Sequence, residues 1–342
     1  MIGKIKRARL AIIAAVAGAA IMIGISAPAA LATQPSESNN WAKEIEANVP
    51  VRSADTISEG HDPNGNLMQV WRGFDNNYIY VSYNHRTAER FESSQSGTIP
   101  QTFVAPSVIW TDFGWRIFHT GTDGHVYYAG MVLNASGSIT GWGNWISIPN
   151  ASTAAYETVS PVALPNGAWY ATWGGATNTN IYGIYFNGTT YGAIQTIPHA
   201  ASISPPTLAY DPSWGAMVVV WRDLSNGVGY ARQPLGGQWL FVNLLPGIST
   251  NERPTIGLAN NGAGLISARN TEDNNRLYTI AINRSGWHGT WQAESTGWTS
   301  DHAVLISAIG YICYMVLTGY DGQVWWKEVA NLQGYGSTRH AA

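Results

Sequence analysis

Residues 101–149 hold one complete unit: Ala105-Pro106-Ser107-Val108, a run opening at Gly114, Asp123-Gly124-His125-Val126-Tyr127-Tyr128, and Gly141-Trp142-Gly143-Asn144-Trp145-Ile146-Ser147-Ile148-Pro149. Each segment is short, rich in β-branched and aromatic residues, and bounded by turn residues, so each reads as a strand. The Asp-Gly pair tolerates the positive φ of a tight hairpin, which makes the second and third strands antiparallel neighbours.

The unit repeats along the chain. A hydrophobic residue followed by proline closes it at Pro50, Pro100, Pro149, Pro198 and Pro246, at intervals of 50, 49, 49 and 48 residues. A glycine precedes the second strand at Gly65, Gly114, Gly167, Gly215, Gly262 and Gly310, which makes six units. The turn between second and third strands recurs as Asp75-Asn76-Asn77, Asn226-Gly227, Asp273-Asn274-Asn275 and Asp321-Gly322. Four antiparallel strands in a repeat of this length predict an all-β fold, a six-bladed β-propeller.

The strand count also predicts how the ring closes. Trp41 to Pro50 reads as a fourth strand with no first three before it, whereas the sixth unit ends after Val324-Trp325-Trp326 with three strands. The N-terminal strand should therefore complete the last blade and remove a free sheet edge.

Residues 1–32 read as a secretory leader, with Lys4, Lys6, Arg7 and Arg9, an apolar Leu10–Ile25 stretch, and Ala30-Leu31-Ala32 as the cleavage pattern. The propeller is expected over 33–330, with a tail at 331–342, in a secreted, extracellular protein with no membrane span. Without the leader, Lys plus Arg falls from 18 to 14 against 21 Asp plus Glu, a net charge of −7. That balance, with no basic stripe, argues against a nucleic-acid partner. Charged residues make up 11% of the chain and aromatic residues 12%, a composition suited to neutral, hydroxyl-rich ligands. The single cysteine, Cys313, lies in an apolar strand and reads as a buried thiol.

Candidate binding residues gather where the second strand ends: Trp71-Arg72, His119, Trp173, Trp221-Arg222 and Arg269. An indole stacks on the C–H face of a sugar, and a guanidinium donates several fixed hydrogen bonds to its hydroxyls. The competing reading makes these tryptophans packing between blades and the arginines partners of neighbouring acids. Asp55, Glu157, Glu252 and Asp301 enter the first strands and should ring the channel mouth. There they would either hold the backbone or a cation, or act as a glycosidase pair. No nucleophile elbow, zinc motif or phosphate loop is present, so no cofactor is expected.

The 101–149 unit, together with Gly319-Tyr320-Asp321-Gly322-Gln323-Val324-Trp325-Trp326, resembles the repeats of β-propeller lectins, in particular the bacterial fucose-binding propeller lectins and the tectonin/tachylectin group. The resemblance implies a carbohydrate-binding protein without catalysis, with shallow sites on one face. A secreted glycoside hydrolase or lyase and a protein-binding scaffold are the alternatives. Arg72, Arg222 and Arg269 recur as the fucose-binding pattern asks, but no glutamate recurs beside them on the third strand. The Ser-x-Asp-x-Gly-x-x-Trp box of sialidases is absent, because Asp123 and Asp321 are followed directly by glycine.

Overall fold

The computed structural model describes residues 42–43, 45–46, 49–50, 53–83, 89–90, 100–134, 139–153, 157–293, 305–309, 311–318 and 323–332. The proposed leader, Trp41, Asp301, Gly310 and the 333–342 part of the tail lie outside the described residues. Among the described residues no helix is long and apolar enough to cross a membrane.

Six antiparallel sheets form the blades. Blade one holds Ser58–His61, Leu67–Arg72, Ile79–Tyr83 and Glu89–Arg90, and blade two holds Ser107–Thr111, Gly114–Thr120 and His125–Leu133. The outer strand of blade two is split into Ile139–Trp142 and Ile146–Ser152, both paired with His125–Leu133. Blade three comprises Ser160–Ala163, Trp169–Gly174, Asn180–Phe186 and Gln195–Ala201, and blade four Thr207–Asp211, Ala216–Arg222, Val228–Pro234 and Leu240–Leu245. Blade five has Thr255–Leu258, Gly264–Asn270, Arg276–Asn283 and Gly286–Ala293, and blade six Leu305–Ile309, Ile312–Thr318 and Val324–Asn331.

The last blade is completed from the N-terminal side, as the strand count predicts. Ala42 pairs with Trp326 and Lys43 with Trp325. Within the same expected strand, Ile45–Glu46 pairs with Val49–Pro50 in a two-stranded ribbon of its own. Each inner strand neighbours the next around the ring, including blade six against blade one. The five described turn glycines, Gly65, Gly114, Gly167, Gly215 and Gly262, all have φ between 63° and 93°, a region that L side chains avoid.

Hydroxyls on the inner strands tie blade to blade. Ser58 Oγ accepts the Val108 N–H (3.1 Å) and Ser160 Oγ the Leu208 N–H (2.9 Å), while Ser107 Oγ donates to the Val159 carbonyl (2.8 Å) and Thr207 Oγ1 to the Pro254 carbonyl (2.8 Å). Thr318 Oγ1 donates to the Asp55 carbonyl at 2.8 Å, joining blade six to the start of blade one. A second set of hydroxyls holds each blade entrance. Ser53, Thr102, Ser202 and Thr250 are buried, and each accepts a backbone N–H two residues ahead. Three of them also donate to the last carbonyls of the second strand, at Arg72, Thr120 and Arg222. Two bonds on one buried hydroxyl fix where the chain enters the next blade.

Large aromatic side chains fill the space between blades. Trp115, Trp169, Trp173 and Trp221 are each no more than 2% exposed. Truncating any of them to alanine should cost about 3–5 kcal/mol.

Candidate functional site

The tryptophans at the end of the second strand face inward. Trp71 stacks on Tyr80 with ring centroids 6.0 Å apart and packs with Ile57, Val316 and Val324 between blades six and one. Trp173 stacks on Tyr182 at 6.4 Å in the core between blades two and three. Trp221 covers Gly229, where a Cβ would lie 2.1 Å from its ring. His119, in the equivalent place in blade two, is buried between Tyr127 and Trp145. Burial lowers its pKa to about 4, so its imidazole is neutral near pH 7.

The repeat has a packing origin. Tyr80, Tyr127 and Tyr182 stand opposite these side chains on the third strand, and each hydroxyl bonds to a turn residue four positions earlier: Asn76 (3.2 Å), Asp123 (2.6 Å) and Asn178 (3.1 Å). The aromatic pair and its turn residue thus form one conserved element of blade construction within this chain.

The arginines lie at matching strand ends but are held individually. Arg72 donates to the Ala54 carbonyl (3.1 Å) and Asn77 Oδ1 (3.3 Å). Arg222 donates through Nε and Nη2 to Asn226 Oδ1 (3.1 and 2.6 Å) and through Nη1 to the Asn251 carbonyl (2.8 Å). Arg269 is buried and paired with Glu252, 3.4 Å from Nη1 to Oε1. Of the expected site residues, then, Arg269 and Glu252 meet, while Trp71-Arg72, His119, Trp173 and Trp221-Arg222 stand in blades one, two, three and four.

The channel-mouth acids are likewise engaged. Asp55 accepts the Thr56 N–H (2.7 Å) and, across the blade boundary, the Ala105 N–H (3.1 Å). Glu157 is raised in pKa by burial and accepts from Thr153 Oγ1 at 3.3 Å. It fills the space over Gly174, where a Cβ would lie 2.0 Å from Oε2. Asp301 lies outside the described residues.

The groove best suited to a ligand lies at the other end of the second strands, between blades two and three. It encloses about 600 Å³ and is lined by Phe113, Arg116, Tyr128, Trp169, Phe186 and Asn144, with four glycines. Tyr128 and Trp169 make an aromatic floor, with Trp169 stacked on Phe186 at 5.0 Å, while Phe113 is 59% exposed on the rim. The Gly167 N–H donates to Asp112 Oδ2 (2.8 Å), pinning the turn of blade three beside Phe113.

Arg116 is the polar centre of this groove. It pairs across the sheet with Gly130, whose missing side chain makes room for it: a Cβ there would lie 2.9 Å from Nη1. Nη1 donates to the Trp115 carbonyl at 2.9 Å, the one hydrogen bond of this guanidinium among the described residues, and no carboxylate there pairs with it. Its other donors remain available in a setting where burial lowers its pKa and the nearby Tyr128 opposes that shift.

Blade four shows what closes such a groove. Val218 stands where Arg116 does, and its cross-strand partner is Arg232, in the place of Gly130. The Arg232 guanidinium lies 4.3 Å from the Trp214 ring and donates to the carbonyls of Asn283 and Arg284. Arg284 in turn bonds Ser213, and Arg232 is left 1% exposed. In blade three the corresponding turn carries Gly188, and among the described residues no side chain takes the place of Arg232 over Arg116. Residue-type reasoning at strand ends misses Arg116; the signal is an arginine facing a glycine across adjacent strands.

The fold is that of the propeller class. No family model matches the sequence, and no curated protein matches it either. Among solved structures, the six-bladed fungal lectin of Aleuria aurantia, described as having a novel fucose recognition mode, aligns with a TM-score of 0.57 at 9% identity, covering 85% of this chain and 100% of that one. AofleA from Arthrobotrys oligospora aligns with a TM-score of 0.58 at 10% identity, over 85% of this chain and 83% of that one. A Trypanosoma rangeli sialidase bound to the inhibitor DANA aligns at 0.51 and 13% identity, over 87% of this chain and 59% of the sialidase. These likenesses are of fold.

Proposed function

We propose that this chain is a secreted carbohydrate-binding propeller that holds neutral sugars without transforming them. The observation that carries the reading is Arg116, lodged over Gly130 with one hydrogen bond, in an open groove floored by Tyr128 and Trp169. A planar guanidinium offers two parallel donors to vicinal hydroxyls, and the exposed ring of Phe113 offers an apolar face to the sugar's C–H groups. Fucose-specific recognition is stated for the Aleuria aurantia lectin, and a deoxy sugar with one apolar edge suits the Phe113 side of this groove. The resemblance to bacterial and tectonin-type repeats belongs to the same reading. Arg72 and Arg222, partly exposed at the opposite strand ends, are proposed as auxiliary donors.

A glycan array followed by calorimetry on the mature protein tests this. Neutral glycans should bind, and Arg116→Ala should weaken the best of them by about tenfold or more, the usual effect of leaving polar partners unsatisfied. Release of reducing ends from any bound glycan would contradict the non-catalytic reading.

A further inference from the structure

Blade four departs from blades one to three at one pair of positions, and a small pocket stands where it does. In the first three blades a glycine follows the second strand, Gly73, Gly121 or Gly175, and its N–H donates to a carbonyl across the turn. A side chain does not fit there, because a Cβ would lie 2.5, 2.8 or 2.9 Å from Cε2 of Tyr80, Tyr127 or Tyr182. Blade four carries Asp223 instead, with the same backbone bond from its N–H to the Gly227 carbonyl (3.0 Å). The tyrosine position opposite Trp221 is Gly229. Loss of the ring makes room for the carboxylate.

The pocket lies between blades three and four, at the opposite strand ends from the Arg116 groove, and encloses about 260 Å³. That is below the roughly 300 Å³ at which sites for drug-sized ligands begin, so it suits one functional group with a few carbons. Trp221, Leu224 and Leu244 supply its apolar surface, and the two leucines are 56% and 51% exposed. His199 and Asn243 add polar groups. Asp223 is the one acid among the described residues of the lining, which include no lysine or arginine. Successive strand residues face opposite sides of the sheet, so Arg222 belongs to the other face, where its guanidinium is held by Asn226 and the Asn251 carbonyl.

Asp223 keeps one oxygen for a ligand. Oδ1 accepts the N–H groups of Ser225 (2.9 Å) and Gly227 (2.7 Å). Ser225 Oγ lies 2.8 Å from Oδ1 and 3.0 Å from Oδ2, and its single proton serves one of them. Oδ2 therefore has at most that bond, and among the described residues no cationic side chain pairs with the carboxylate. An unpaired carboxylate beside apolar side chains favours a cation that donates hydrogen bonds and carries carbon. We propose that this pocket binds a primary ammonium on a short carbon body, the ammonium on Asp223 Oδ2 and the carbons against Leu224 and Leu244. Amino sugars and lysine side chains both present this group.

Calorimetry of the full mature protein with D-glucosamine, N-acetyl-D-glucosamine and n-butylamine tests the assignment. Glucosamine should bind saturably at one site, at least about tenfold more tightly than its neutral N-acetyl form. Butylamine binding as well as glucosamine would assign the pocket to aminoalkyl groups such as lysine side chains, and weaker butylamine binding to amino sugars. Asp223→Asn keeps an acceptor for the Ser225 and Gly227 N–H groups and should abolish the preference for the amine, whereas Arg116→Ala should leave it intact. Equal binding of glucosamine and N-acetylglucosamine, no saturable amine binding, or unchanged glucosamine affinity in a folded Asp223→Asn protein would overturn the proposal. Should Asp223→Asn fail to fold, NMR titration of the wild type with glucosamine decides it: saturable shifts of the Asp223, Leu224 and Leu244 amides support the site, and their absence rejects it.

Discussion

Thr102→Val removes one oxygen at a blade entrance and keeps the side-chain volume. Thr102 is fully buried; its hydroxyl accepts the Val104 N–H at 3.2 Å and lies 3.0 and 3.1 Å from the carbonyls of Val104 and Thr120. A hydroxyl has one proton, so the native state holds one accepted and one donated bond there. Valine leaves the Val104 N–H without this partner and withdraws the donor from the carbonyls, in a site closed to water. Each buried group so stranded costs about 1–3 kcal/mol, and with partial relaxation the pair costs about 2–4 kcal/mol. At about 2–4 °C per kcal/mol, Tm should fall by about 4–16 °C in scanning calorimetry. Thr102→Ser keeps the hydroxyl and should lose about 1 kcal/mol, the value of a buried methyl. The reasoning is refuted if Thr102→Val melts within a degree of the wild type, or if Thr102→Ser melts as low as Thr102→Val.

Three further outcomes are expected. In NMR titrations the His119 imidazole should stay neutral until the pH approaches about 4. Because its folded pKa lies below its unfolded value near 6.5, its contribution to stability is present above that value and is lost as pH falls toward 4. His119→Phe should flatten that part of the stability profile, and a slope unchanged by the substitution would show the titration to be elsewhere. A chain beginning at Val51 lacks Ala42–Lys43 and leaves the Val324–Asn331 edge uncovered. It should melt lower and self-associate in light scattering; an unchanged melting curve would mean that the ring closes without this strand. Burial pushes the Cys313 thiol up to about 12, so it should resist a thiol reagent at pH 8 until the protein is unfolded. Rapid labelling of the folded protein would contradict its burial.

The architecture was legible because it repeats. Proline at near-constant intervals, a glycine before each second strand, and Asp/Asn/Gly turns are backbone requirements, and backbone requirements leave residue-level marks. Closure was legible for the same reason, although among the described residues Ala42–Lys43 joins blade six and Ile45–Glu46 pairs with Val49–Pro50. The groove between blades two and three was less legible, because recurrence draws attention to the residues that repeat. Trp71, Trp173 and Trp221 recur because each packs at the same place between blades. Arg116 matters because it does not recur: its counterpart in blade four is Val218, and the arginine there has moved across the sheet to Arg232. Aligning the repeats and comparing facing pairs of strands, rather than single columns, exposes that exchange. The buried hydroxyls at Ser53, Thr102, Ser202 and Thr250 were also visible, two to four residues beyond each proline, but serine and threonine in a connection carry little signal until their burial is known.

The central claim is that the groove between blades two and three binds neutral sugar through Arg116. Calorimetric titration of wild type, Arg116→Ala and Phe113→Ala with the best neutral glycan from an array tests it most directly. The account predicts saturable binding by the wild type, a loss of about tenfold or more in each variant, and melting temperatures near that of the wild type for Phe113→Ala. Wild-type affinity in a folded Arg116→Ala protein would contradict it.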